Sequence, residues 1–165
     1  METIKRFQVR GLAGQVERAQ LAGRTVDFWA PSGGSDHILI AHDGQNIFDR
    51  RTATFVYTWK LAQAAIRIAE ETGKQAPLVI AVFHSSSKED PHGRAKDLCP
   101  EDAFREGLKP LVQPTVNVNE LRGNAYLSTI FDEILPAVVE KTGSHHLSEQ
   151  TAMVGSSMGG LATLY

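Results

Sequence analysis

The sequence predicts an α/β fold: a three-layer αβα sandwich with a mostly parallel central sheet. Continuous apolar runs at residues 38–41 and 77–83 are typical of strands that helices cover on both faces. Between them, residues 58–74 repeat apolar side chains at helical spacing. The chain order is therefore strand, helix, strand, which is the βαβ pattern of a parallel sheet. A length of 165 residues suits a single domain with a real core, and we expect residues 1–165 to belong to one.

Three strands are predicted ahead of the first helix, over residues 17–23, 25–31 and 36–44, with turn-forming residues between them. The helix is predicted to bury one face and to end at Gly73, which stands where a C-terminal cap belongs. The expected buried face consists of Leu61, Ala64, Ala65, Ile68 and Ala69.

Residues 84–123 are expected to be irregular, because prolines and charged residues interrupt any periodic pattern there. An irregular loop of this length inside a compact domain is usually functional, for example as a lid or a pocket wall. The alternative is a meandering surface insertion with short helical turns. The sequence does not separate these two interpretations.

A second helix is predicted over residues 125–143, where apolar side chains again keep the i, i+3, i+4 spacing. Pro136 should kink or interrupt this helix, and Gly143 should end it. A short strand at residues 151–155 then leads directly into a glycine-rich turn. The apolar positions of the helix are Leu127, Ile130, Phe131, Ile134, Leu135, Val138 and Val139.

The glycine-rich turn contains Gly-x-Ser-x-Gly at residues 155–159, a pattern typical of the nucleophile turn of serine hydrolases. A nucleophilic hydroxyl must stand exposed on a turn so tight that flanking side chains would clash, and the two glycines relieve that crowding. A helix after the turn would direct its N-terminus at the serine and favour a developing negative oxygen. The pattern alone is weak, but its position between a strand and a helix favours Ser157 as a nucleophile over an idle serine in a tight βα turn.

A second oxyanion donor is expected from the loop after the buried strand at residues 38–41, which continues as His-Asp-Gly-Gln-Asn-Ile-Phe-Asp. Gly44 would let the backbone approach a ligand closely. The backbone N–H of Gln45, or of Gly44 itself, could then point at the same oxygen as the N–H of Met158. The alternative is that Asp-Gly forms an ordinary polar turn.

These two motifs, together with the segment from Asn124 to Tyr165, resemble an esterase family of α/β-hydrolases. That family includes enterochelin (siderophore) esterases, S-formylglutathione hydrolases, feruloyl esterases and mycolyltransferases. The resemblance covers about Thr25 to Tyr165 and implies an α/β-hydrolase fold. It also implies that Ser157 is the nucleophile of a carboxylic-ester or thioester hydrolase, with Met158 and Gln45 or Gly44 as oxyanion donors.

The residues that would activate the serine are missing from their expected place. In α/β-hydrolases the order is Ser, then Asp or Glu, then His, whereas all six histidines of this chain precede Ser157. His42 and His84 are the nearest alternatives, and both are weak candidates. We therefore expect the sequence to be the N-terminal part of a hydrolase domain, truncated after the nucleophile turn, with the acid and the histidine beyond residue 165. If the protein does end at Tyr165, the strand at residues 151–155 would be an exposed, unpaired edge of the sheet. Such an edge predicts poor solubility or a partner that covers it.

Composition excludes several other classes of protein. The net charge of −2 and the scattered basic residues argue against nucleic acid, and no apolar run is long enough for a membrane helix. One cysteine, Cys99, and the lack of an N-terminal signal pattern fit a cytoplasmic protein. We expect a small-molecule ester as substrate, no cofactor and no metal, and a homo-oligomer is left open. The alternatives are an acyltransferase, a non-catalytic binding module, a Cys99 nucleophile, and a metal site at His84, Asp90 and His92.

Overall fold

A computed structural model describes residues 1–107 and 116–165 of the protein. Six strands form a single sheet in the order β1-β2-β3-β5-β4-β6. The strands are β1 (Glu2–Phe7), β2 (Val16–Leu21), β3 (Arg24–Trp29), β4 (Ile38–Ala41), β5 (Leu78–Val82) and β6 (Thr151–Val154). The helices are α1 (Leu61–Thr72), α2 (Gly93–Leu98), α3 (Glu101–Arg105), α4 (Gly123–Ser128), α5 (Leu135–Thr142) and α6 (Met158–Leu164).

The sheet is mixed, which corrects the expectation of a mostly parallel one. β4 pairs in parallel with β5 and β6, whereas β1, β2, β3 and β5 pair with one another in antiparallel fashion. β2 and β3 are joined through Ala22 and Gly23, and a two-residue connection can only reverse the chain. β1 was not predicted because it is a polar strand whose side chains are largely exposed.

Helices lie on both faces of this sheet, as an α/β fold requires. Alternate residues of β5 face opposite cores, because side chains of a strand alternate between the two faces. Leu78, Ile80 and Val82 pack with residues of α2, α4, α5 and α6, while Val79 and Ala81 pack with residues of α1. The apolar runs at residues 38–41 and 77–83 were correctly predicted to be strands buried between helices.

α1 ends at Gly73 as predicted, but it begins at Leu61 rather than at Thr58, and its buried face agrees only in part with the predicted one. Gly73 takes a left-handed conformation with φ of 65° and caps the helix. Ala62 and Ala69 are buried, whereas Ile68 is 54% exposed. The spacing of apolar residues fits two neighbouring stripes of the helix. Leu61, Ala62 and Ile66 pack in the core on this face of the sheet, so the buried stripe lies beside the predicted one.

The second predicted helix is interrupted, as Pro136 indicated. Residues Thr129–Ile134 form a π-helical segment between α4 and α5. Proline has no N–H, and its ring displaces the carbonyl four residues earlier, so a wider turn just ahead of Pro136 is the expected accommodation. Gly143, with φ of 64°, ends the helix as predicted.

The stretch at residues 84–123 is more regular than expected where the structure describes it. It forms α2 and α3, and α2 packs against α4 and α6 with Leu98 fully buried in the core. The described part is thus an integral piece of the domain rather than a meandering insertion. Pro110 and Pro114 fall outside the described residues. Across residues 1–107 and 116–165, no helix is long and apolar enough to cross a membrane.

Candidate active site

The candidate site lies at the edge of the sheet where the parallel strands β4, β5 and β6 end. Three short segments leave the sheet there: residues 42–46, residues 83–86 and residues 155–157. The backbone N–H of His42 donates to the carbonyl oxygen of Val154 at 3.0 Å, which joins the first segment to the third. The two motifs singled out in the sequence are therefore neighbours in the structure.

Ser157 occupies the turn between β6 and α6 in a conformation that serine rarely adopts. Its φ and ψ are 57° and −121°, the geometry of the first central position of a type II′ turn, where glycine predominates. Holding another residue in such a conformation costs on the order of 1–3 kcal/mol. The residue is exposed, and its side chain makes no capping hydrogen bond to α6. An exposed serine on a strained strand-to-helix turn is the arrangement that a serine-hydrolase nucleophile needs.

The glycines of the motif are required by close packing. A Cβ atom at position 155 would lie 2.2 Å from the carbonyl carbon of Gly159. A Cβ atom at position 159 would lie 3.2 Å from Cβ of His42 and 3.3 Å from Oδ2 of Asp43. Residues 155 and 159 of the turn therefore pack closely against each other, and residue 159 also packs closely against the segment after β4. Gly160, one residue further on, has no comparable crowding.

The segment after β4 is equally tight. Asp43 has φ and ψ of 54° and 46°, the left-handed region that non-glycine residues seldom enter, and a 3₁₀ turn follows at Gly44–Asn46. A Cβ atom at position 44 would lie 2.5 Å from the carbonyl carbon of Ala81 in β5. The sequence suggested that Gly44 admits a ligand, whereas in the structure its close neighbour is the backbone of β5.

Three backbone N–H groups in the two segments have no hydrogen-bond partner among the described residues. Within the described residues, no hydrogen bond engages the N–H of Gly44, Gln45 or Met158. The carbonyl of Gln45 accepts a bond from the Thr52 hydroxyl at 2.9 Å, which fixes this residue's backbone. Gly44 and Gln45 are buried, and Met158 is half-buried at the start of α6. These are the donors that an oxyanion hole would use.

An ion pair that the sequence did not reveal connects the two segments. Nε and Nη2 of Arg94 donate to the two carboxylate oxygens of Asp43, each at 2.7 Å. Nη2 also lies 3.4 Å from the carbonyl oxygen of Ser156. Arg94 belongs to α2, and no local motif marks it in the sequence.

His42 is fully buried beneath the site and is held neutral. Burial lowers its pKa to about 4, although the nearby Asp43 carboxylate opposes the shift. Its Nδ1 lies 2.8 Å from the hydroxyl of Tyr126, whose pKa is raised by burial. Nε2 has no hydrogen-bond partner among the described residues. A buried imidazole of low basicity with no bond to Ser157 does not act as its general base.

We expect His42 to make the protein less stable as the pH falls. Between the unfolded pKa of 6.5 and the folded pKa of about 4, the unfolded chain binds a proton at His42 and the folded chain does not. The free energy of unfolding should therefore drop by about 2–3 kcal/mol across this interval on account of His42. Urea unfolding at several pH values measures it. His42→Gln should flatten the slope and His146→Gln, a surface control, should not; an unchanged slope in His42→Gln would refute the assignment.

His84, the other alternative base, already uses its free ring nitrogen in a hydrogen bond. Its Nδ1 accepts the backbone N–H of Ser86 at 3.1 Å, and burial lowers its pKa, so the neutral ring carries its proton on Nε2. The lone pair that a general base needs is therefore already in use. His145 bonds Asp36 at 2.9 Å, ahead of β4 and so at the opposite edge of the sheet.

The remaining sequence alternatives gain no support from the structure. Asp90 pairs with Lys96 at 2.9 Å and with Arg122 at 3.3 Å instead of meeting His84 and His92. No group of three His, Cys, Asp or Glu side chains in the described ranges could hold a metal ion. Cys99 is buried, and burial raises the pKa of its thiol, so it is a poor nucleophile.

A run of exposed apolar side chains follows the segment after β4. Phe55 is 80% exposed and Tyr57 is 82% exposed. Two hydrogen bonds connect this run to Asn46. The side-chain oxygen of Asn46 accepts the N–H of Thr54 at 2.9 Å, and its backbone carbonyl accepts the N–H of Trp59 at 2.9 Å. No motif in the sequence marks this apolar surface.

Comparison with solved structures identifies the class of scaffold. The enterobactin esterase FES from Shigella flexneri, crystallised in the presence of 2,3-dihydroxy-N-benzoyl-glycine, matches with a TM-score of 0.55 and 12% identity; the match covers 99% of this chain and 32% of that one. The BES protein from Bacillus cereus matches with a TM-score of 0.55 and 17% identity, covering 96% of this chain and 59% of that one. No protein-family model and no curated protein sequence matches this chain.

These likenesses show the fold: the chain has an esterase-like α/β scaffold, compatible with the hydrolase-like scaffold that the sequence resemblance implied. The chain spans about a third of the length of the first structure and 59% of the second.

Proposed function

We propose that this protein is a serine hydrolase of carboxylic esters or thioesters, with Ser157 as the nucleophile. The observation that carries the proposal is the conformation of Ser157, an exposed serine in a glycine-type backbone geometry between a strand and a helix. A structure retains such strain only where the surroundings enforce it, and such sites cluster at active centres. The esterase-like scaffold supports the same reading.

In the proposed reaction the Ser157 hydroxyl attacks the ester carbonyl, and its proton passes to a general base. The carbonyl oxygen becomes an oxyanion, which the N–H of Met158 and the N–H of Gln45 or Gly44 stabilise. The alcohol or thiol then leaves with a proton, and water hydrolyses the acyl-enzyme. No histidine bonds Ser157 within the described residues, so the proposal places the Asp or Glu and the His of the triad beyond residue 165. The reaction needs no cofactor or metal.

A second candidate function is a binding module on the same scaffold. The exposed apolar run that includes Phe55 and Tyr57 favours it, because exposed apolar surface is typical of sites that bind a ligand or a partner. This candidate predicts ligand binding with no turnover.

The two candidates are separated by assaying the full-length protein with p-nitrophenyl butyrate. The hydrolase proposal predicts saturable release of p-nitrophenol together with butyrate. Adding methanol as a competing acceptor reports acyl transfer, since methyl butyrate then replaces part of the butyrate. Release no faster than in buffer would contradict the hydrolase proposal and favour the binding module.

A further inference from the structure

Arg94 makes the contacts that connect the two halves of the candidate site. Its guanidinium holds the carboxylate of Asp43 in a bidentate pair at 2.7 Å and reaches the carbonyl oxygen of Ser156 at 3.4 Å. Asp43 directly precedes Gly44 and Gln45, and Ser156 directly precedes Ser157. One side chain thus touches the residue ahead of the nucleophile and the residue ahead of the other proposed oxyanion donors.

The element that carries Arg94 is itself fixed in place. The backbone N–H of Arg94 donates to Oγ of Ser86 at 2.8 Å, in the segment after β5. Asp97, fully buried in the same helix, accepts bonds from Arg24 at 2.9 and 3.1 Å and from the N–H of Ser85 at 2.8 Å. α2 is thereby fixed to the segment after β5, and the Arg94 guanidinium reaches from it to the segments after β4 and β6.

Asp43 has little freedom to respond if the pair is lost. Its side chain is 2% exposed, and a buried carboxylate without a partner is strongly unfavourable. It also occupies the left-handed region, and Oδ2 lies 3.3 Å from the Cβ position at residue 159 in the first turn of α6. The carboxylate thus packs between the segment that carries Gly44 and Gln45 and the start of α6.

We infer that Arg94 is a positioning residue for acyl transfer at Ser157. The Arg94–Asp43 pair sets the N–H groups of Gln45 and Met158 at a fixed separation from the serine hydroxyl. The inference rests on the proposed hydrolase function and deepens it by naming what holds the site together. It also gives α2 a role in supporting the site, where the sequence left open a lid, a pocket wall or a surface insertion.

The test compares Arg94→Gln and Arg94→Lys with Arg67→Gln, an exposed arginine of α1, in the full-length protein. Active sites are titrated with a fluorophosphonate so that kcat refers only to competent molecules. We expect Arg94→Gln to lower kcat per titrated site about 100-fold, the loss typical of a misplaced oxyanion donor, with KM nearly unchanged. Arg94→Lys should recover part of the loss, because an ammonium can reach Asp43 but cannot form the bidentate pair. A boronic-acid analogue of the tetrahedral intermediate should lose affinity in parallel with kcat.

The outcomes separate this inference from the function on which it rests. If wild type turns over ester and Arg94→Gln matches Arg67→Gln in kcat per titrated site, Arg94 is not a positioning residue. In another outcome, fewer Arg94→Gln molecules react with the fluorophosphonate, but those that do keep the wild-type kcat and boronate affinity. The role of Arg94 is then structural, and the inference is overturned. If Arg94→Gln does not fold, Arg94→Lys decides by the same two readouts. Lack of turnover in wild type would instead overturn the proposed hydrolase function, and the inference with it.

Discussion

Replacing Ser157 with alanine is expected to lower kcat for ester hydrolysis by about 10⁴-fold or more, because removing a serine nucleophile leaves only binding and oxyanion stabilisation. The fold should tolerate the change, since the Ser157 side chain is exposed and makes no capping hydrogen bond. The measurement is steady-state hydrolysis of p-nitrophenyl butyrate by the full-length protein, together with thermal unfolding.

Ser156→Ala is the matched control for this variant. Ser156 is also an exposed serine, and its side chain makes no hydrogen bond within the described residues, where only its backbone carbonyl is engaged. Its kcat should stay within about threefold of wild type, because a surface substitution outside the reacting groups changes little. Comparable activity in Ser157→Ala and Ser156→Ala would refute Ser157 as the nucleophile.

Gly155→Ala is expected to have the largest effect on stability, destabilising the protein by more than about 3 kcal/mol or preventing folding. The added Cβ would lie 2.2 Å from the carbonyl carbon and 2.3 Å from the carbonyl oxygen of Gly159. Both are backbone atoms of α6, so no side-chain rotation can relieve the clash. Urea unfolding followed by circular dichroism measures the loss.

The neighbouring glycines give a graded control series. Gly160→Ala adds a Cβ whose nearest neighbour is 3.4 Å away, and alanine favours a helix, so this variant should match wild type or gain up to about 1 kcal/mol. Gly159→Ala, with neighbours at 3.2 and 3.3 Å, should fall between the two. An order of stability in which Gly155→Ala equals Gly160→Ala would contradict the packing described for the turn.

The sequence predicted those parts of the fold that depend on local patterns. The apolar runs indicated β4 and β5, and Gly73 and Gly143 indicated the ends of two helices. Each of these features depends on a few adjacent residues, so the sequence shows it directly. The antiparallel half of the sheet was harder to predict. β1 has no apolar alternation, and it joins the sheet through its pairing with β2.

The candidate site likewise has parts that the sequence predicted and parts that it did not. The turn around Ser157 and the segment after β4 were both recognised from contiguous motifs, and the structure places them side by side. Arg94 could not be recognised, because its bond to Asp43 joins residues 51 positions apart and lies in a stretch without a periodic pattern. The neutral state of His42 depends on burial beneath the site, which the sequence does not report.

The central claim is that Ser157 is a nucleophile activated by its position. The most direct measurement is tandem mass spectrometry of the full-length protein after brief reaction with a fluorophosphonate. We predict an adduct on the peptide that contains residues 155–159, localised to the Ser157 side chain and missing when the protein is first unfolded in urea. An adduct on Ser156 or on another residue, or none at all in a protein that hydrolyses esters, would contradict the claim.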